Sequence, residues 1–379
     1  MKKFLWVAIG LGFVLRLAFV LTLENRFYFG DEPLYYLMAE NFLTGNGLII
    51  DILNKAFRPP LFPLLTAFIH ALGGGLLAVR IVNVFLSTAT IYLVYLLGRE
   101  LFTESVATWS AAASSVWPFF IFYNGFYLTE PLYLFLMSAS TLYLVRSVNN
   151  LSPKNIFISG LLSGLASLCR PTMLIFVPLA LVLVVLSVRK LKPAVYLGLV
   201  CLLTASPWII RNVVVLNAFV PGTTMGGRVF YEGNNPDSVG GPCQVFPLRI
   251  EEMPEVERDK AYYRQTFRII RENPVRFRWL LFNKFKRFWS IIPNASGFQA
   301  PLYRAISLLA IVPTLPFFMM GLFLSFRRWR TTAFLTVQII YNTVFHMVFL
   351  ASIRYRLPIE PFYLIFALFG LHRLIGKDG

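Results

Sequence analysis

Asp31 and Glu32 stand side by side in the stretch Asn25-Arg26-Phe27-Tyr28-Phe29-Gly30-Asp31-Glu32-Pro33-Leu34, just past an apolar run from Phe4 to about Leu23. Pro33 and the periodic apolar set Leu34, Leu37, Met38 and Phe42 read as a short helix lying along a membrane, its N-terminal carboxylates facing a cavity, and Gly45-Asn46-Gly47 ends it. In a cavity, Asp31 can serve as a general base while Glu32 orients it or meets a substrate. The plainer alternative is that one of them only caps the helix, accepting from free backbone N–H groups. A third carboxylate, Glu130 in Tyr127-Leu128-Thr129-Glu130-Pro131, opens another apolar run.

Arginines stand at comparable places. Arg58 begins Arg58-Pro59-Pro60-Leu61, and Arg170 directly follows the short apolar run Ile156 to Cys169. A guanidinium at membrane depth must face water or a counter-charge unless it snorkels from a helix end. In Arg354-Tyr355-Arg356 two arginines flank an aromatic, a fork that suits bidentate binding of phosphate or, alternatively, an interfacial anchor. Carboxylates and converging arginines in a lipid-exposed bundle are the parts needed to move a sugar from a lipid phosphate. The departing phosphate is already stable as an anion, so it needs cations rather than a general acid, whereas an incoming hydroxyl needs a base. Asp31, its pKa raised by burial, is expected to take that proton.

The elements that must position these residues are membrane spans. The 379 residues are 57% hydrophobic and only 14% charged, with a mean hydropathy of +0.66, more apolar surface than a soluble chain of this size buries. An all-α polytopic fold is expected, with ten apolar runs near residues 4–23, 78–98, 106–122, 129–145, 156–169, 172–188, 193–210, 302–325, 332–352 and 358–374. The segment 59–72 is short and carries three prolines. If it does not cross, thirteen basic residues, from Lys2 and Lys3 to Arg373 and Lys377, fall on one side, so it reads as a second membrane-surface helix. Both termini are then cytoplasmic, and the carboxylates face the outside of the plasma membrane. Three parts follow: a module over 1–210 with its first outer loop at 24–77, an outer loop at 211–301, and C-terminal helices over 302–379.

The outer loop 211–301 carries 13 Lys and Arg against 8 Asp and Glu, with ten of the bases between Arg258 and Arg287, interleaved with aromatics. That pattern fits basic amphipathic helices on anionic headgroups, so the net charge of +17 points to membrane lipids and not to nucleic acid. Its earlier part, from Gly226-Gly227 to Gly240-Gly241, reads as turns, and Asn294-Ala295-Ser296 matches the N-glycosylation pattern. Cys169, Cys201 and Cys243 lack paired spacing, and His70, His346 and His372 are scattered, so no metal site or disulfide framework is indicated. No P-loop is present, and no cofactor is expected.

The order Gly30-Asp31-Glu32, Arg58-Pro59-Pro60-Leu61, Leu128-Thr129-Glu130-Pro131, Pro207-Trp208 with Arg211-Asn212, Glu272-Asn273-Pro274 and Arg354-Tyr355-Arg356-Leu357-Pro358 resembles the GT-C glycosyltransferases of the protein O-mannosyltransferase and lipid A aminoarabinose transferase group. The resemblance implies inverting transfer of a hexose or pentose from a polyprenyl or dolichyl monophosphate, with Asp31 as base and the two surface helices framing the site. It also implies an acceptor, be it lipid, glycan or protein, that larger relatives bind with added domains; here the chain ends after ten spans. Some relatives hold a divalent ion, but no histidine beside an acid matches that pattern here. A transporter or flippase of lipid-linked sugars is the rival, and it would be expected to show inverted repeats, which are not evident.

Overall fold

The computed structural model describes residues 1–293 and 300–376. The glycosylation pattern at Asn294 lies outside the described residues. Among the described residues the regular structure is helical apart from one isolated bridge between Asp51 and Asn54. Helix α1 (Lys2–Leu21) leads into a loop carrying α2 (Glu32–Leu43) and α3 (Leu61–Ala71). Next come α4 (Leu76–Leu101), α5 (Glu104–Ser115), α6 (Pro118–Asn124), α7 (Glu130–Asn150), α8 (Pro153–Cys169), α9 (Thr172–Val188) and α10 (Leu191–Leu216). A long connection holds α11 (Gly226–Glu232), α12 (Leu248–Glu251), α13 (Glu255–Glu272) and α14 (Pro274–Phe288), before α15 (Pro301–Ile311), α16 (Leu315–Ser325), α17 (Trp329–Val348), α18 (Ile353–Arg356) and α19 (Glu360–Leu374).

Every expected apolar run coincides with helix, and six helical stretches are long and apolar enough to cross a membrane. Two runs are broken. Pro118 starts α6 after a turn at Trp117, and a turn around Pro313 separates α15 from α16, since proline cannot supply the N–H that a continuous helix needs. The segment 59–72 is an eleven-residue helix, far shorter than a crossing. Exposed Trp6, Val7, Leu11, Val14, Leu203 and Phe323 give the bundle an apolar outer surface suited to lipid.

Packing inside relies on close backbones and satisfied polar groups. A Cβ on Gly321 would overlap the Phe366 carbonyl and one on Gly370 the Phe317 carbonyl, so α16 and α19 cross at backbone contact. Arg16, fully buried in α1, has no carboxylate partner among the described residues; it donates to Ser87 Oγ and to the carbonyls of Gly12, Ser114 and Ser115 at 2.8–3.0 Å. The free carbonyls at the end of α5 thus satisfy an arginine that would otherwise be too costly inside a bundle.

The two ends of the bundle differ. At one, Arg328 donates to the Leu101 carbonyl, Ser187 to the Arg330 carbonyl, and Arg146 pairs with Glu100. At the other, the first loop and the long connection lock together: Glu255 accepts from the Lys55 and Ala56 amides at 2.7 and 2.9 Å, and Arg258 donates to the Leu53 carbonyl at 3.1 Å. Asn273 ends α13 and caps α14 by accepting from the Arg276 amide at 3.0 Å, with Pro274 at the first helical position, so the Glu272-Asn273-Pro274 stretch is a helix-to-helix corner.

Candidate active site

Five charged side chains from five separate segments meet at the second end. Asp31 closes the loop after α1, Arg58 precedes α3, Glu130 opens α7, Arg170 follows α8, and Arg354 lies in the single turn of α18. Asp31 Oδ1 is 2.6 Å from Arg58 Nη2, and its Oδ2 is 2.6 Å from Arg354 Nη1. Arg354 Nε reaches Glu130 Oε1, which is also 2.6 Å from Arg170 Nη2. The result is an alternating row, Arg58, Asp31, Arg354, Glu130, Arg170, with one more positive charge than negative. Glu130 is fully buried, while the Asp31 side chain, 27% exposed, is the most open member of the row.

Asp31 stands at the N-cap of α2, yet its side chain caps nothing; both oxygens are taken by guanidinium. Burial alone would push its carboxyl up. Arg354 and then Arg58 outweigh burial and hold it well below the usual carboxylate range, so Asp31 is ionised and, as it stands, a weak base. This corrects the expectation of a carboxyl raised by burial. Two atoms of the row are left over: Arg58 Nε and Glu130 Oε2 are buried without a hydrogen-bond partner.

Glu32 does different work. Its Oε1 accepts from the Tyr28 and Phe29 amides at 2.7 and 2.6 Å and its Oε2 from the Tyr127 amide at 2.8 Å, tying the loop after α1 to the segment before α7. Arg80 assists from α4, donating to the Glu24 and Arg26 carbonyls at 2.8 and 2.7 Å. The adjacent carboxylates therefore divide: Asp31 faces the cluster and Glu32 holds the loop that presents it.

The two arginines of Arg354-Tyr355-Arg356 do not form a fork. Positions i and i+2 of a helical turn point to opposite sides, and α18 is such a turn. Arg354 joins Asp31 and Glu130, whereas Arg356 pairs with Glu360 at 3.0 Å and donates to the Ser290 carbonyl at 2.8 Å. Tyr355 stacks on His346 with ring centroids 4.7 Å apart. Neither Tyr355 nor Arg356 belongs to the charged row.

Residues 57–210 match the family model described as dolichyl-phosphate-mannose-protein mannosyltransferase. In structure, the chain is similar to the archaeal oligosaccharyltransferase AglB from Archaeoglobus fulgidus, in complex with an inhibitory peptide and a dolichol-phosphate, at a TM-score of 0.63 and 16% identity over 99% of this chain and 50% of AglB. It is similar also to ArnT from Cupriavidus metallidurans bound to undecaprenyl phosphate, at a TM-score of 0.57 and 16% identity over 98% of this chain and 60% of ArnT. The chain has the GT-C glycosyltransferase fold. It spans about half the length of AglB and three fifths of ArnT. No curated protein sequence matches it.

The GT-C bundle of this chain also holds a half-open cavity of about 550 Å³ between α14, α16, α17 and α19, lined mainly by apolar side chains including Trp117, Trp289, Phe318 and Leu322. Its polar end is the Arg356–Glu360 pair, where Glu360 also accepts from Trp117 Nε1 at 2.6 Å and Arg356 Nη2 has no partner. Tyr123 is within electrostatic reach of both this pair and the charged row.

One acid near the charged row carries no sequence signal. Glu232, the last residue of α11, lies in the glycine- and asparagine-rich stretch that reads as turns, with Asp31 and Arg58 among the charges that act on its carboxyl. Burial pushes Glu232 up to about 7. Among the described residues no cluster of three or more His, Cys, Asp or Glu side chains could hold a metal ion.

Proposed function

We propose that this chain is an inverting glycosyltransferase that moves a sugar from a polyprenyl or dolichyl monophosphate to a hydroxyl of a lipid, glycan or protein on the outer face of the membrane. The observation that carries the reading is the alternating row with its surplus guanidinium, centred on the most open carboxylate, Asp31. The phosphates of AglB's dolichol-phosphate and ArnT's undecaprenyl phosphate are groups of the chemistry this row suits.

In this reading the donor phosphate takes Nη groups of Arg58 and Arg354, and the unpartnered Arg58 Nε adds a donor. Sharing those guanidiniums with phosphate loosens the hold on Asp31, so its pKa rises and it becomes a competent base only when donor is in place. The acceptor oxygen then attacks the anomeric carbon from the face opposite the phosphate. The proton passes to Asp31, and the phosphate leaves as an anion held by the arginines. Glu130 keeps Arg170 and Arg354 in place. The 550 Å³ cavity with the Arg356–Glu360 pair at its polar end suits the first isoprene units of the carrier. The outward orientation is supported by the basic residues of the opposite end, which mark a cytoplasmic side.

The test uses the purified full chain in liposomes, with polyprenyl-monophosphate hexoses and pentoses labelled in the sugar and a panel of hydroxyl acceptors. Transfer produces free polyprenyl phosphate and a labelled product of new mass. Intact donor that has only changed leaflet would assign the chain to transport instead.

A further inference from the structure

Helix α11 is clamped at both ends to the two segments that supply the arginines on either side of Asp31. At its start, the Thr224 amide donates to the Ala56 carbonyl at 3.1 Å, two residues from Arg58, and Glu255 binds both Thr224 and the Ala56 amide. At its end, a Cβ on Gly233 would overlap the Phe349 carbonyl, and Asn234 Nδ2 donates to the Val348 carbonyl at 3.0 Å. Buried Lys284 of α14 fixes this second clamp, donating to Asn234 Oδ1 and the Val348 carbonyl at 2.8 and 3.0 Å. Glu232 is the residue immediately before Gly233, so it sits at the second clamp, against the segment leading to Arg354, with Asp31, Arg58 and Tyr355 within electrostatic reach.

We propose that Glu232 is the proton outlet of the site, taking the acceptor's proton from Asp31 and releasing it to water; this rests on the transferase reading above. The balance is simple. The acceptor O–H and the bond from anomeric carbon to phosphate oxygen break, the new glycosidic bond forms, and the leaving phosphate keeps its electron pair. The proton goes to Asp31, then to Glu232, then to solvent.

Glu232 suits this because it is the opposite of Asp31. Among the described residues it forms no ion pair, and burial raises it to about 7, so near neutral pH it can accept a proton and give it up. Asp31, once the phosphate departs and both arginines return, cannot keep a proton. The groups around Glu232 are few. Arg228 and Tyr231 lie on its own helix, and the Cys243 amide bonds to it. On the packed face of α11, α13 presents Asp259, raised to about 6 and bound to the Gly227 amide, and Tyr262, which meets Tyr231. Across the clamp stands Lys284, lowered to about 7 by burial.

Two measurements on the full chain test the proposal. Infrared difference titration should show a carboxyl band that ionises near pH 7, disappears in Glu232→Gln and shifts to lower pH in Asp31→Asn, where a neighbouring negative charge has been removed. The kcat of wild type should rise with pH through about 7, and Glu232→Gln should lose that limb and fall about tenfold or more, with Glu232→Asp partly restoring both. Lys284→Met and Asp259→Asn, which remove the other groups titrating nearby, should each keep the limb. If the band survives Glu232→Gln, or ignores Asp31→Asn, the coupling is absent and the proposal fails even where the protein transfers sugar. If the band behaves as expected and no donor is ever turned over, the transferase reading fails and the proton outlet falls with it.

Discussion

Arg354 Nη1 lies 2.6 Å from Asp31 Oδ2, although 323 positions separate the two residues in sequence. The same guanidinium holds Glu130, 224 positions away, so one side chain on the short turn between α17 and α19 ties the loop after α1 to the start of α7. Whatever binds at this cluster must contend with Arg354, and whatever moves Arg354 disturbs both carboxylates.

Arg354 and Arg356 should therefore fail in different ways. Arg354→Ala is expected to lose a charged hydrogen bond to the donor phosphate, about 1.5–3 kcal/mol or roughly tenfold to a hundredfold in kcat/KM, with the helical fold retained. Arg356→Ala leaves Glu360 buried and unpaired beside the apolar cavity, and a broken buried pair costs about 3–5 kcal/mol, so its main effect should be a lower Tm. Steady-state kinetics and thermal unfolding of both variants check this. Equal kinetic losses with unchanged Tm would restore the fork.

Glu32→Ala is expected to destabilise the loop after α1, because three backbone N–H groups lose their acceptor and each buried orphan costs about 1–3 kcal/mol. Glu32→Gln keeps one oxygen and should lie between the two. Hydrogen exchange at Tyr28, Phe29 and Tyr127 reads this directly, with protection falling in the order wild type, Gln, Ala.

Gly233→Ala forces a methyl group into the Phe349 carbonyl and must push apart the end of α11 and the segment leading to Arg354. Activity should drop more than overall stability does. An alanine variant at the open position Gly30, which has free space around it, serves as the control and should remain close to wild type in both measurements.

Much of the helical plan was legible because ten apolar runs are long and the bases between them cluster. Asp31, Arg58, Glu130, Arg170 and Arg354 drew notice as charges at run ends, and the structure brings those five together. Their pairing was not legible, since no local pattern says that Arg354 takes two acids from distant segments. Nor could two adjacent carboxylates be told apart until the Tyr127 amide, fixed by the packing of α7, claimed Glu32. Arg356 reads in the sequence as a partner of Arg354 because the turn of α18 is a single one, too short to show a helical period. Glu232 hid among glycines and asparagines whose only visible signal was turn formation.

Asp31 also sets a pH dependence of stability. Its carboxyl is depressed in the folded protein relative to an unfolded value near about 4, so the arginine pairs contribute fully above that pH and their contribution is lost as pH falls through and below it. Unfolding of the detergent-solubilised protein between about pH 6 and 3 should show a steeper acid loss in wild type than in Asp31→Asn.

The most direct test of Asp31 as the base is turnover of a labelled polyprenyl monophosphate sugar by Asp31→Asn, measured beside donor binding. Asparagine keeps the size of the side chain but frees Arg58 and Arg354 from a competing carboxylate, so donor binding should be retained or tightened, while transfer falls by roughly 10²–10⁴. Transfer within about threefold of wild type, with donor still bound, would contradict the assignment and move the base to another carboxylate.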